Sequence, residues 1–353
     1  DRTGRRVIVM VGFFLLIVGL GLYPRAEGIT QLYLFRGIVG LGMGVISTSM
    51  LTVIQDYPQD RSRGKYTGMN SVFSGLGVMV MAVGIMRLPE MFVEGGATQN
   101  AAVINTFMIC VGIGIFAALL ARFGLSGALP DPDHRTESVF GGVSDAIAEA
   151  RKNPRLLLSF IAAFAARGDL AVAGTYFALW FMYIGTAQGI DSIEVAKISG
   201  QYFGVLNLSI MVWAPIYGII IDRVNRVTAV TLGLATASAG YFLMGSIDNP
   251  FNPAIIIPAC ILLGMGETSA VVSCGSLVGQ EAPPRIRGSI IGFYALCGSF
   301  GILSLSFISG LIFDAFSPNA PFIFMGAVNL VIVVIALYVR VRYGNPTNPA
   351  ATS

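Results

Sequence analysis

Ten runs of 18 or more predominantly apolar residues follow one another along the 353-residue chain, at 6–23, 29–54, 67–88, 101–121, 156–185, 197–221, 227–247, 253–279, 288–313 and 319–341. A helix rises about 1.5 Å per residue, so each run is long enough to cross a hydrocarbon core of roughly 30 Å. That core holds no water, and a spanning segment must satisfy its own backbone N–H and C=O groups, as only helices and closed barrels do. Barrel strands alternate apolar and polar residues over about ten positions, whereas these runs are continuously apolar. The expected fold is therefore all-α, a polytopic membrane helical bundle with ten transmembrane helices. Composition agrees: 55% of residues are hydrophobic and 12% charged, about half the charged share of a soluble domain.

Basic residues set the expected orientation. If the loop holding Asp1 is cytoplasmic, 17 of the 22 Lys and Arg fall on its side of the membrane. Only Arg25, Arg87 and Lys197 fall on the other, and Arg36 and Arg167 lie inside spans. Both chain ends are expected in the cytoplasm, at the plasma (bacterial inner) membrane. The net charge of +3 expresses this asymmetry and not nucleic-acid binding. Cys110, Cys260, Cys274 and Cys297 all lie within expected spans and read as small buried residues. The single histidine, His134, lies in the central loop, and no HExxH, paired CxxC or GxSxG pattern occurs. No metal, cofactor or enzymatic activity is expected. No GxxxxGK[ST] loop is present either, so any work against a gradient draws on an ion or solute gradient.

The longest polar connection, 122–155, separates four spans from six. It opens on Leu129-Pro130-Asp131-Pro132-Asp133 and continues into a segment where Val139, Val143 and Ile147 recur every four residues. That spacing suits a short amphipathic helix lying on the membrane surface; the alternative is a disordered linker. The expected organisation is an N-terminal half over 1–121, this loop, a C-terminal half over 156–344 and a tail over 345–353.

Two short patterns recur at nearly one spacing. Asp1-Arg2-Thr3-Gly4-Arg5-Arg6 returns in weaker form as Asp222-Arg223-Val224-Asn225-Arg226, 221 residues on. Gln55-Asp56-Tyr57-Pro58 with Arg61, Arg63 and Gly64 returns as Gln280-Glu281-Ala282-Pro283 with Arg285, Arg287 and Gly288, 224 to 225 residues on. Two matches at one offset indicate two related halves. The Asp-Arg-x-Gly-Arg-Arg loop and its copy resemble the signature loop of the major facilitator superfamily. The second span adds Arg36-Gly37-Ile38-Val39-Gly40-Leu41-Gly42-Met43-Gly44, which is similar to the family's Arg-x-x-x-Gly-x-Gly-x-Gly pattern on its fourth helix.

The resemblance implies a secondary transporter whose halves rock about a central site. It equates the ten spans with helices three to twelve of twelve, so that about two helices' worth of sequence would precede Asp1. It also implies a cytoplasmic gate formed by Asp1, Arg5, Arg6 and Asp56 in one half and Asp222, Arg226 and Glu281 in the other. Gly37, Gly40 and Gly44, Gly75 and Gly77, Gly264 and Gly266, and Gly298 and Gly301 supply small surfaces for close helix contact.

Ionisable groups inside spans cost at least about 2.5 to 3.5 kcal/mol near the bilayer centre and mark functional sites. Arg36, Arg167, Asp169 and Glu267 are the candidates for proton or substrate coupling, with Asp169 and Glu267 near mid-membrane. Arg167 and Asp169 are two positions apart, about 200° around a helix, and point different ways. Tyr176, Trp180, Asn207, Trp213 and Tyr294 are candidate cavity-lining residues. The expected partners are a small-molecule substrate, protons and the lipid bilayer, and the chain is expected to be a monomer. The third span reads Ser74-Gly75-Leu76-Gly77-Val78-Met79-Val80-Met81, without the Gly-Pro common in the family's drug exporters, which leaves symport and antiport open. A drug or metabolite antiporter is the nearest alternative, and a transporter-like receptor or lipid-handling protein without flux is the alternative of another class.

Overall fold

The computed structural model describes residues 5–56, 73–125, 139–283 and 286–344. Their helices are α1 (Arg5–Leu22), α2 (Ile29–Asp56), α3 (73–79), α4 (Leu88–Glu94), α5 (Gln99–Gly124), α6 (Val139–Lys152), α7 (Pro154–Ala187), α8 (Ser192–Arg223), α9 (Arg226–Gly245), α10 (Pro253–Glu281), α11 (Arg287–Ala315) and α12 (Ala320–Arg342). No strand occurs among the described residues. Nine of these helices are long and apolar enough to cross a membrane: α1, α2, α5 and α7 to α12.

The run at 67–88 begins outside the described residues, and its described part is not one regular helix. After α3 the chain passes through a π turn at Val80–Gly84 and a 3-10 turn at Ile85–Arg87 before α4 begins with Pro89 in its first turn. Proline has no N–H to give the carbonyl four residues back and fits best in the first turn of a helix, which is where Pro89 sits as α4 begins.

Elsewhere the helix starts are written locally. Asn153, Asp191, Asn225 and Asn252 accept backbone N–H bonds at the starts of α7, α8, α9 and α10, and Thr98 does so for α5. Pro154 and Pro253 follow two of these caps directly, where the missing N–H costs nothing.

The chain forms two compact units, residues 1–135 and 136–353. In the first, α1 packs along α2 and α5. In the second, α7 is central and meets α8, α10, α11 and α12, while α9 packs between α10 and α12. The core of this unit is aromatic at one end, with Phe177, Trp180, Phe181, Tyr241 and Phe322 buried together. It is built of small and branched residues at the other, including Ala162, Ala166, Val230, Leu234, Ala270 and Ala336.

The central segment is a helix over Val139–Lys152, and it belongs to the second unit by its packing. Its buried face differs from the expected stripe. Ala146 and Ala150 are covered, against Ile290 and Phe293 of α11, while Ile147 is exposed. The helix approaches too closely for branched side chains there: a Cβ on Gly142 would lie 2.9 Å from Ser289 Oγ.

Glycine does the same inside the unit, but not everywhere the repeats suggest. A Cβ on Gly301 of α11 would overlap the Phe164 carbonyl of α7, and one on Gly266 of α10 would run into the Ala237 backbone of α9. Small residues replace the hydrophobic drive that helices in lipid lack. Gly37 and Gly40, in contrast, meet nothing within 4 Å, and the α1–α2 crossing closes instead at Gly42, whose Cβ would lie 2.6 Å from the Leu16 nitrogen. Gly301→Ala is therefore expected to destabilise the protein by at least about 1–3 kcal/mol, the cost of overpacking. Gly37→Ala is expected to leave the unfolding temperature in detergent unchanged or slightly raised, because a helical alanine gains up to about 1 kcal/mol over glycine. Equal melting curves for the two variants would contradict this packing.

Candidate functional site

Two carboxylic acids meet inside the second unit. Asp169 lies midway along α7 and Glu267 midway along α10, at 0% and 1% exposure. Tyr241 of α9 stands between them: its Oη is 2.8 Å from Glu267 Oε1 and 2.7 Å from the main-chain carbonyl oxygen of Asp169. Asn329 of α12 donates through Nδ2 to both Asp169 carboxyl oxygens, at 2.9 and 3.1 Å. Four helices thus converge on one polar cluster with no exposed member. Among the described residues neither acid has a cation within salt-bridge distance. A buried carboxylate without a counter-charge carries a penalty of several kcal/mol.

The two arginines named with these acids stand elsewhere. Arg167 is exposed, and its stem lies against Gly298 of α11. Arg36 is exposed on α2 of the first unit.

The five aromatic and amide candidates do not form one lining. Trp180, at 1% exposure, packs against Phe181 and Phe322 and is a core residue, not a cavity wall. Tyr176 is buried too, and its hydroxyl donates to the Ser306 carbonyl at 2.7 Å, tying α7 to α11. Asn207 donates within its own helix to the Phe203 carbonyl. Trp213 donates to Ser269 Oγ at 2.9 Å, joining α8 to α10. Tyr294 is half-buried and packs against α7 and α10 residues. An aromatic in the middle helix of a unit is surrounded on most sides, which the residue type alone does not announce.

For the charged loops, Asp1 lies outside the described residues, as do the side chains of Arg5 and Asp56. Arg6 is half-buried on the first turn of α1. Asp222 and Arg226 pair at 3.1 Å across the α8–α9 turn, with the Asp222 side chain 76% exposed. Arg226 also donates to the Ile221 carbonyl. Glu281 does not join them. It is buried and pairs with Arg155 at 2.6 Å, while its second oxygen accepts from Asn153 at 3.0 Å. Arg226 is occupied at its own turn, and Arg155 enters α7 directly beside the end of α10. The Arg155 guanidinium further donates to Gln280 Oε1 at 3.1 Å and the Gly344 carbonyl at 2.9 Å. Asn225 donates to that same Gly344 carbonyl, so α7, α10, the α8–α9 turn and the end of α12 share one knot.

By sequence Arg155 is one of the 17 basic residues on the side of the membrane expected to be cytoplasmic. Its signal is the sequence Asn153-Pro154-Arg155, a capped helix start that draws the arginine into the first turn of a buried span. Removing one member of such a pair strands the other charge and costs about 3–5 kcal/mol. Glu281→Ala is expected to show that loss in denaturant unfolding, and Arg155→Met with Glu281→Met to cost less than the two single changes together. Additive losses would contradict the pairing.

The sequence model described as Major Facilitator Superfamily matches residues 1–306. The chain belongs to this superfamily and is a multi-pass integral membrane protein of a transporter family. It is 26% identical over 345 residues to the magnetosome protein MamH of Paramagnetospirillum magneticum, covering 96% of this chain and 77% of MamH. It is 27% identical over 355 residues to MamZ of the same organism, covering 96% of this chain and 52% of MamZ, so the chain spans about half the length of that relative. Against the multidrug transporter protein MdtP of Bacillus subtilis identity is 22%, over 90% of this chain and 65% of MdtP. Among solved structures, the nucleoside transporter NupG superposes with a TM-score of 0.71 at 12% identity, covering 95% of this chain and 83% of that one. A POT family transporter in complex with a thioalcohol-conjugated peptide gives 0.70 at 14% identity, covering 99% and 83%. These structures share the fold.

Proposed function

We propose that this chain is a secondary active transporter that moves a small organic solute by alternating access, coupled to protons carried by Asp169 and Glu267. One observation carries the reading: two carboxyls at mid-span, fully buried, with no cation beside them among the described residues. In a medium that cannot solvate an anion, protonation is the inexpensive way to neutralise such a group. A cluster closed in this way releases or takes up its proton only when the helices around it part, which ties proton movement to conformational change.

Arg167 and Arg36, both exposed within their own units, are proposed contacts for solute or for coupling. The loops at Asp1, Arg5 and Arg6 with Asp56, and at Asp222 with Arg226, are proposed as switchable contacts of the closing face. Exposed pairs of this kind contribute only about 0 to 1 kcal/mol each, weak enough to break in every cycle. The charge asymmetry supports cytoplasmic ends in the plasma membrane, and the working unit is proposed to be a monomer. The likeness to two magnetosome proteins over 96% of the chain favours the magnetosome membrane as a second reading of location.

The test is accumulation in proteoliposomes of a panel of radiolabelled small metabolites under an imposed pH gradient. At least one solute is expected to accumulate, and a protonophore to abolish its accumulation. Glu267→Gln and Asp169→Asn are expected to lose gradient-driven accumulation while retaining solute exchange. Accumulation indifferent to the protonophore, or unchanged in both variants, would sink the proposal.

A further inference from the structure

The Tyr241 hydroxyl has one proton and two oxygen neighbours at hydrogen-bond distance, Glu267 Oε1 at 2.8 Å and the Asp169 main-chain carbonyl at 2.7 Å. A hydroxyl donates once and accepts twice. With Glu267 protonated, the acid O–H donates to Tyr241 Oη, and the Tyr241 O–H donates to the carbonyl of α7; both close contacts are then bonds. With Glu267 ionised, it has no proton to give and takes the Tyr241 O–H for itself, since a charged acceptor is the stronger one. The α7 carbonyl then faces a phenol oxygen without a proton between them. The same atoms therefore hold two bonding patterns, selected by one proton.

We infer that Tyr241 is a positioning residue that reports the proton on Glu267 to the backbone of α7 by moving its single hydrogen between Glu267 Oε1 and the Asp169 carbonyl. This rests on the proton-coupled reading above and adds its linkage. The step transfers no group: one proton joins or leaves Glu267, and the phenol keeps its own. The ring itself is held in place, at 0% exposure and stacked on Phe322 with centroids 6.4 Å apart, so the hydrogen can turn while the ring stays.

Glu267 is the acid that touches the Tyr241 hydroxyl directly, and Asp169 is the other titratable group at the cluster. From α7 the cluster is faced by the Asp169 carboxyl, which Asn329 of α12 engages, and the exposed Arg167, two residues earlier, lies within electrostatic reach of Cys274 of α10. From α10 itself come the thiols of Cys260 and Cys274. From α8, which packs on α10, come the uncharged Ser209 and Trp213, near Gly264 and Ser269. The receiving helix is also consequential: α7 is central to its unit and carries the exposed Arg167 two residues before Asp169.

The experiment uses the full chain in lipid nanodiscs with a fluorescent probe on a cysteine introduced at Leu170, an exposed α7 position. Potentiometric titration of the same protein, wild type minus Glu267→Gln, measures the proton itself. In wild type the probe signal is expected to follow that proton with pH. Its equilibrium should shift roughly two- to tenfold, the effect of one hydrogen bond. In Tyr241→Phe the proton is still expected to bind, and the probe to stop following it. Glu267→Gln combined with Asp169→Asn, which removes the other titrating acid of the cluster, keeps an amide N–H able to donate to Tyr241 Oη at every pH and is expected to hold the probe at its low-pH value throughout; it decides the matter where Tyr241→Phe does not fold. A probe that follows pH unchanged in Tyr241→Phe overturns the linkage and leaves proton coupling standing. A probe in Glu267→Gln with Asp169→Asn that still titrates overturns it as well. A wild type that binds no proton at Glu267 overturns the linkage and the coupling role of Glu267 together, and the titration arm alone identifies that case.

Discussion

A carboxylate inside a bilayer has no water to stabilise its charge, and the second unit of this protein is arranged around two of them. Asp169 and Glu267 reach mid-span on different helices and are sealed by Tyr241 and Asn329. Every contact in the cluster comes from a different helix, so it forms only when α7, α9, α10 and α12 are packed together. That requirement makes the cluster sensitive to helix movement, the property a coupled transporter needs.

The packing that brings those helices together is made by small residues. Gly266 lets α10 lie on the α9 backbone, and Gly301 lets α11 lie on α7. At the end where Glu281 ends α10, a different device is used. Arg155, buried at 1% exposure, gathers Glu281, Gln280 and the Gly344 carbonyl. The first arrangement tolerates no added atoms, and the second tolerates no missing partner. Between them they tie the first part of α7 to α10 and α11, while its middle meets the Tyr241–Glu267 pair.

How much of this was legible depended on how costly each residue is where it stands. The spans were legible because apolar runs of that length have few other uses, and Asp169 and Glu267 because acids in such runs are expensive. Tyr241 and Asn329 were not singled out, since neither residue type costs enough within a span to demand a role. Arg155 was hidden by the rule that made it countable, because a basic residue at a span end satisfies orientation whether or not it is buried. Trp180 was misread for the related reason that an aromatic serves a core and a cavity equally. The helix expected over 67–88 gives way to a π turn at Val80–Gly84 and a 3-10 turn at Ile85–Arg87, a change of hydrogen-bond register that an evenly apolar run does not announce. The α6 stripe was sought in Val143 and Ile147, but contact with α11 selected Ala146 and Ala150, because a close approach favours small side chains over apolar ones.

The central claim is that Glu267 holds a proton while the cluster is closed. The most direct measurement is infrared spectroscopy of the protein in lipid at neutral pH, comparing wild type with Glu267→Gln. The account predicts a protonated carboxylic carbonyl band in wild type that Glu267→Gln removes. A difference spectrum containing only ionised carboxylate bands would contradict it.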